Sequence, residues 1–420
     1  MSGTHRIVVE TGQALPELDW PGELADLTDA WPYLGPTWLA ANERAMPEAK
    51  PWHTVAKRGH GELALLPGFV LTAPPAVDHD PRTYLGWQPP SGDSVCCGVD
   101  VAGAQSAAVD AMGEQAFLPT LLLGSPLGYR TEVAYNFWSP GLFAAMVERL
   151  VPAAFDAGIR SVVAPWIPDR AGNDALVAAL REAGGHATFW GYEDYVTLSA
   201  DSWDAHVAGL PTKKRQRVNA DERRAAASGV EITRVDGADI RPHVSRIAEL
   251  TCLNREKNGA GEQPEHIETI LTGLLDARVD VRAYFGRLDG EIVASCVTLR
   301  KGDRLTPKWA GFDYARLGEH SGIYFAMVLN APVRDAYAEG LHTVEFGAGA
   351  HEAKTLRGCQ SRAVTTALVL ADPALRPAAA ELLDGFGAAR RVAFGDAPPA
   401  SQPRALTLLS NGGGACCGNG

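Results

Sequence analysis

The 420-residue chain has no apolar run near the roughly 20 residues that a helix needs to cross a bilayer. Its 11 histidines include no HExxH or comparable ligand spacing, which argues against a metal-dependent hydrolase. No GxxxxGK[ST] stretch is present to cradle a nucleoside triphosphate. The 7 cysteines are an odd count for a disulfide framework, and the neighbouring pairs Cys96-Cys97 and Cys416-Cys417 lack the CxxC spacing of a zinc or redox site. No metal is therefore expected. Cys296 sits in an apolar, strand-like run, where a small buried thiol is the plain reading. The opening residues MSGTHRIVVE have neither the charged nor the apolar region of a signal peptide, so a cytoplasmic protein is expected. A formal net charge of −12 disfavours a general nucleic-acid binder, though it leaves room for a local basic patch.

What is present reads as a soluble globular chain, with 46% hydrophobic and 21% charged residues. Its length exceeds what one hydrophobic core usually supports. Strand-like and helix-like patterns alternate from about residue 50 to residue 200, which predicts an α/β or α+β domain over 1–200. Within it, TWLAANERAM predicts an amphipathic helix capped by Thr37, and 73–104 predicts a long loop. Near residue 200 the pattern changes. Helices are predicted from Ser202 and over 212–227, then strands over 230–235, 281–287, 292–301 and 304–312. The Asp289-Gly290 pair between two β-branched runs is the strongest hairpin signal in the chain. A second domain over 201–375 follows, and 376–420 reads as helix and loop with a flexible Gly/Cys tail.

The second domain is organised around AEGLHTVEFGAGAHEAKTLRGC, where a helix ends at Gly340 and a short strand stops at Gly347-Ala348-Gly349. A polar turn carrying His351, Glu352, Lys354 and Arg357 comes next. A strand that ends in glycines and then presents charged side chains is a usual ligand position in α/β proteins. The helix over 212–227 carries Lys213, Lys214, Arg215, Arg217, Arg223 and Arg224 against Asp221 and Glu222, with Lys213, Arg217 and Arg224 on one face. It is either a solvated stripe or a surface for an anionic ligand.

Three stretches carry a family resemblance over residues 210–371. They are LPTKKRQRVNADERRAAASGVEITRV, VRAYFGRLDGEIVASCVTLRKGDRLTPKWAGFD and SGIYFAMVLNAPVRDAYAEGLHTVEFGAGAHEAKTLRGC. Together they resemble the GNAT acyltransferase superfamily, in the branch related to Fem-type aminoacyl transferases. The resemblance implies two tandem GNAT-like domains, each a mixed, mostly antiparallel sheet flanked by helices. The first would be a degenerate copy over 1–200 and the second the acyltransferase domain. It also implies an N-acyltransferase that moves an acyl group from acyl-CoA, or from a carrier-protein thioester, to an amine of a small molecule or peptide. Alternatives are an aminoacyl-tRNA-dependent former of peptide bonds and a GNAT-fold binding protein that has lost catalysis. The pyrophosphate loop typical of the superfamily, R/Q-x-x-G-x-G/A, is replaced by ARLGEHSGIY. There the glycine spacing departs from the pattern and Glu319 would oppose a diphosphate, so the acyl donor stays open.

Acyl transfer to an amine needs a positioned ester or thioester, a group to take the amine proton, and donors for the oxyanion. The candidate bases are Glu345, Asp313 and His351. Glu345, on an apolar strand, either lines a polar cavity or pairs with a buried base. His351 and Asp313 are also natural in solvated turns. Tyr324 is a candidate acid for the leaving group, with core packing as its alternative. For binding, the resemblance singles out Lys354 as a mobile charge for a donor phosphate or an acceptor carboxylate. Gly347, Gly349, Ser321 and Gly322 offer backbone. Trp309 is a packing surface or core, and Lys213 and Arg217 are contacts for an anionic donor.

Overall fold

The computed structural model describes residues 7–14, 32–59, 61–74, 76–88, 103–257, 263–318 and 321–396. Cys96, Cys97, Cys416, Cys417, Glu319 and part of the long loop lie outside these residues. The described residues form two compact units, one from those up to Gly191 together with those from Ala363 onward, the other being Tyr192–Arg362. The chain therefore changes unit within two strands. This differs from boundaries at 200 and 375, because a continuous β-strand has no composition break where it passes between cores.

In the first unit, β1 (Ile7–Gln13) precedes α1 (Pro36–Ala45), β2 (Lys50–Pro51), β3 (His53–Arg58), β4 (Glu62–Leu66) and β5 (Gly68–Leu71). Then come α2 (Gly103–Met112), β6 (Thr120–Leu123), β7 (Ala134–Tyr135), α3 (Pro140–Asp156), β8 (Ser161–Pro168), α4 (Asn173–Glu182) and β9 (His186–Thr197). The α1 cap is Gly35 with Pro36 in the first turn, not Thr37; proline's fixed φ starts the helix two residues earlier. Helix α3 buries Leu142, Phe143, Met146, Val147 and Leu150, a helical stripe that packs with Leu121, Leu123, Val162 and Ala164. Strands β6 and β8 pair in parallel.

The second unit begins in β9 and continues through α5 (Trp203–Gly209), α6 (Thr212–Ala227), β10 (Glu231–Asp236), α7 (Val244–Lys257) and α8 (Pro264–Asp276). Strands β11 (Val281–Leu288), β12 (Glu291–Lys301) and β13 (Arg304–Phe312) form an antiparallel meander. Asp289 and Gly290 both have positive φ, 51° and 82°, as a two-residue hairpin turn demands. A short α9 (Tyr314–Leu317) leads to α10, whose three segments are Ile323–Phe325, a π-turn over Ala326–Asn330, and Ala331–Ala338. Pro332 explains the π-turn, since it cannot donate within the helix and its ring crowds the carbonyl four residues back. Strand β14 (Thr343–Gly347), α11 (His351–Thr355) and β15 (Gln360–Leu370) follow, and α12 (Arg376–Ala393) belongs to the first unit.

Strands in the second unit run in the order β10-β11-β12-β13-β14-β9. Helix α10 covers one face through Met327, Leu329 and Val333, against Cys296, Phe312, Leu305 and Val344. Helix α7 covers the other face so closely that a Cβ on Gly311 would lie 2.3 Å from the Leu250 carbonyl carbon. Each unit is thus a mixed α/β layer structure, as the alternating pattern predicted for the first and the resemblance implied for the second.

Candidate active site

Strands β13 and β14 are parallel, and their ladder ends after two pairs, Arg304 with Thr343 and Leu305 with Val344. Both chains continue beyond it, β13 to Phe312 and β14 to Gly347, so their backbones part into a wedge. At the same point β14 bulges against β9, whose Tyr195 pairs with Glu345 and whose Asp194 pairs with Gly347. Gly347 and Gly349 have φ of 64° and 86°, a left-handed conformation that turns the chain away with little strain.

Alternation along the strands places Glu345 on the same sheet face as Tyr195, Glu193 and Arg304, and Asp194 on the opposite face. Glu345 is only 1% exposed; its carboxylate is bound by Arg362 and lies 3.4 Å from the Arg304 guanidinium. Arg362 also binds Glu193 and lies over the Tyr195 ring. Of the two readings for Glu345, pairing with basic side chains is the one observed, although Arg362 and Arg304 are half-buried and not buried. A carboxylate held by two guanidiniums is a poor proton acceptor.

On the other face, Asp194 is fully buried and accepts hydrogen bonds from Ser361 Oγ at 2.7 Å and from His351 Nδ1 at 2.9 Å. The His351 ring stacks on Tyr192 at 4.8 Å and 17°. His351 keeps 18% side-chain exposure, so it is held on two sides while still reaching solvent. Sequence reading named His351 but missed Asp194, which lies 157 residues away in the chain.

Lys354 departs most from expectation. It is 3% exposed, and its ammonium donates to the carbonyls of Phe346, Gly347 and Ala348 at 3.2, 2.9 and 3.3 Å. Asp194 Oδ2 lies 3.9 Å away. The lysine is a fixed tether for the glycine turn, not a mobile charge, because the turn's carbonyls have left the ladder and need a donor.

The remaining candidates lie elsewhere in the unit. Asp313 caps α9, accepting from the Arg316 backbone at 3.3 Å. The Tyr324 ring packs on Phe312 and Phe325, which is its core alternative. Trp309 is 2% exposed and also belongs to the interior. Ser321 Oγ accepts from Ile323 N at 3.5 Å. Gly322 serves close packing, since a Cβ there would lie 2.6 Å from the Asp221 carbonyl and 2.9 Å from Arg224 Cβ. Lys213 and Arg217 are exposed on α6, which is anchored by the buried pair Asp221–Arg357 at 2.6 Å. Burial pushes the thiols of Cys296 and Cys359 up to about 12, so neither is poised as a thiolate nucleophile. Among the described residues there is no His/Cys/Asp/Glu cluster suited to a metal ion, and no helix is long and apolar enough to cross a membrane.

Residues 212–355 match the family described as acetyltransferase (GNAT) domain. Among solved structures, the crystal structure of FemX is similar over 88% of this chain and 100% of its own, at 11% identity and a TM-score of 0.52. A tandem GNAT protein from the clavulanic acid biosynthesis pathway is similar over 87% of this chain and 99% of its own, at 12% identity and a TM-score of 0.45. The C-terminal domain of a putative lysylphosphatidylglycerol synthetase from Agrobacterium fabrum covers 64% of this chain and 84% of its own, at 15% identity and a TM-score of 0.42. Among curated proteins no match is found.

Proposed function

For a chain that carries a GNAT domain in its second unit and shares the fold of FemX, we propose N-acyl transfer as the activity. The donor is an acyl thioester, of CoA or of a carrier protein, and the acceptor is an amine on a small molecule or peptide. The observation that carries this reading is the wedge between β13 and β14, which ends in the glycine turn. A parallel pair that opens after two rungs offers strand backbone to a linear amide-bearing arm such as pantetheine, and amide N–H groups to the carbonyl oxygen as charge develops there. The arm and the acceptor nitrogen then meet where β14 turns away, so much of the catalytic effect is positioning. The test is release of free thiol from acyl-CoA of varied chain length, mixed with a pool of amines. Silence at every chain length would sink the thioester reading.

A second reading rests on the exposed face of α6, where Lys213, Arg217 and Arg224 form a cationic line. It suits an aminoacyl-tRNA donor, in the manner of the Fem-type enzymes that the sequence resembles. In that case ribonuclease abolishes activity, and Lys213→Glu with Arg217→Glu flattens the salt dependence of binding by about one unit of slope for each cation removed from the phosphates.

A further inference from the structure

We propose that His351 is the general base of the transfer and that Asp194 is its positioning residue, an assignment that rests on the acyl-transfer reading above. Geometry carries it. Asp194 is a fully buried carboxylate on β9, and one of its oxygens accepts from both Ser361 and His351, at 2.7 and 2.9 Å. A carboxylate kept in an apolar interior is costly unless it meets charge. The groups around it are the Lys354 ammonium of α11 at 3.9 Å, the imidazole of His351, the Ser361 hydroxyl at the start of β15, and the Cys359 thiol, which burial and then Asp194 push up. Lys354 is already engaged with three carbonyls of the glycine turn. The hydrogen bond from His351 to this carboxylate is the base-plus-orienting-carboxylate arrangement of activated acyl transfer.

The ring is also fixed in place. Nδ1 faces Asp194, so the neutral tautomer carries its proton there and accepts at Nε2. Tyr192 of β9 supports one ring face, and Ala350, at φ 48°, sets the first residue of α11 immediately after the turn that Lys354 gathers. On α11 itself the other charged neighbour is Glu352, in the first turn. His351 thus sits four residues past Gly347, where the wedge ends.

In the step itself, the acceptor nitrogen attacks the thioester carbon. The C–N bond forms, the C–S bond breaks, and the proton lost by nitrogen goes to Nε2. The imidazolium returns that proton to the leaving sulfur. Thioester and amine become amide and thiol, with no other reactant.

The experiment is the thiol-release assay on the full chain across pH, comparing wild type with His351→Gln, His351→Ala and Asp194→Asn. Expected for His351→Gln is a kcat lower by about 10²–10⁴-fold, a donor KM within about threefold, and loss of the acid limb of the kcat/KM profile. For Asp194→Asn kcat falls while donor KM holds, because the ring loses the partner that fixes its tautomer and orientation. Free imidazole restores part of the His351→Ala activity, an effect that a purely structural histidine would not give. Circular dichroism checks that each variant folds. Wild-type turnover alongside unchanged kcat and pH profile in His351→Gln overturns the proposal alone. A wild-type protein that releases no thiol overturns the acyl-transfer reading beneath it.

Discussion

The two units each contain a parallel strand pair that opens partway along, and they treat the opening differently. In the first unit β6 and β8 pair at three positions, Thr120 with Ser161, Leu121 with Val162 and Leu122 with Val163. The chain then folds back into its own opening. The Thr131 amide donates to the Trp166 carbonyl at 3.2 Å, and its hydroxyl donates to the Leu123 carbonyl at 2.8 Å. Gly124 lets this turn close up, since a Cβ there would stand 2.3 Å from the Arg130 carbonyl oxygen. In the second unit the pair opens after two positions, and the freed carbonyls of β14 are drawn off by Lys354 instead of by a returning loop. The freed edge is thus met by returning backbone in one unit and by a buried ammonium in the other. The lesson is that polar groups leaving a ladder must be satisfied, and that one buried side chain can do in one unit what a returning loop does in the other.

The comparison is broken hardest by loosening the second unit itself. Arg357→Met leaves Asp221, 1% exposed, with only the exposed Arg224 at 3.8 Å as a charged partner. It should cost about 3–5 kcal/mol by urea unfolding. Because Asp221 anchors α6, a cost under 1 kcal/mol would mean that this helix is not held as described.

Lys354→Met keeps the stem and removes the ammonium. Stranded carbonyls in the turn predict a loss of about 1–3 kcal/mol. They also predict a lower kcat with little change in donor KM. A large rise in donor KM at unchanged stability would return Lys354 to the phosphate-binding role that the sequence resemblance implies.

Thr131→Val sharpens the contrast from the other side. It removes the hydroxyl bond that helps close the first wedge, at about 1 kcal/mol, and should leave transfer kinetics alone. Altered kcat in this variant would move chemistry into the first unit.

Much of the second unit was legible in the sequence because its signals are local. The Asp289-Gly290 turn and the glycine-terminated β14 each depend on a backbone conformation that few residues allow. The site was legible only in part. Glu345 and Lys354 stood out as charges in an apolar setting, yet whether a buried charge is used or merely paired depends on partners such as Arg304 and Arg362 on other strands. Asp194 was missed because its partner is set by strand register across 157 residues. Its signal was the pair Glu193-Asp194 inside an aromatic, β-branched strand, which places one carboxylate on each sheet face.

Donor binding in the second wedge can be followed by amide hydrogen exchange with a non-reactive thioether analogue of acyl-CoA. Slowed exchange is expected across 306–312 and 343–349, with 120–131 and 161–168 unchanged. Protection confined to the first pair, or none at saturating analogue, would contradict binding there.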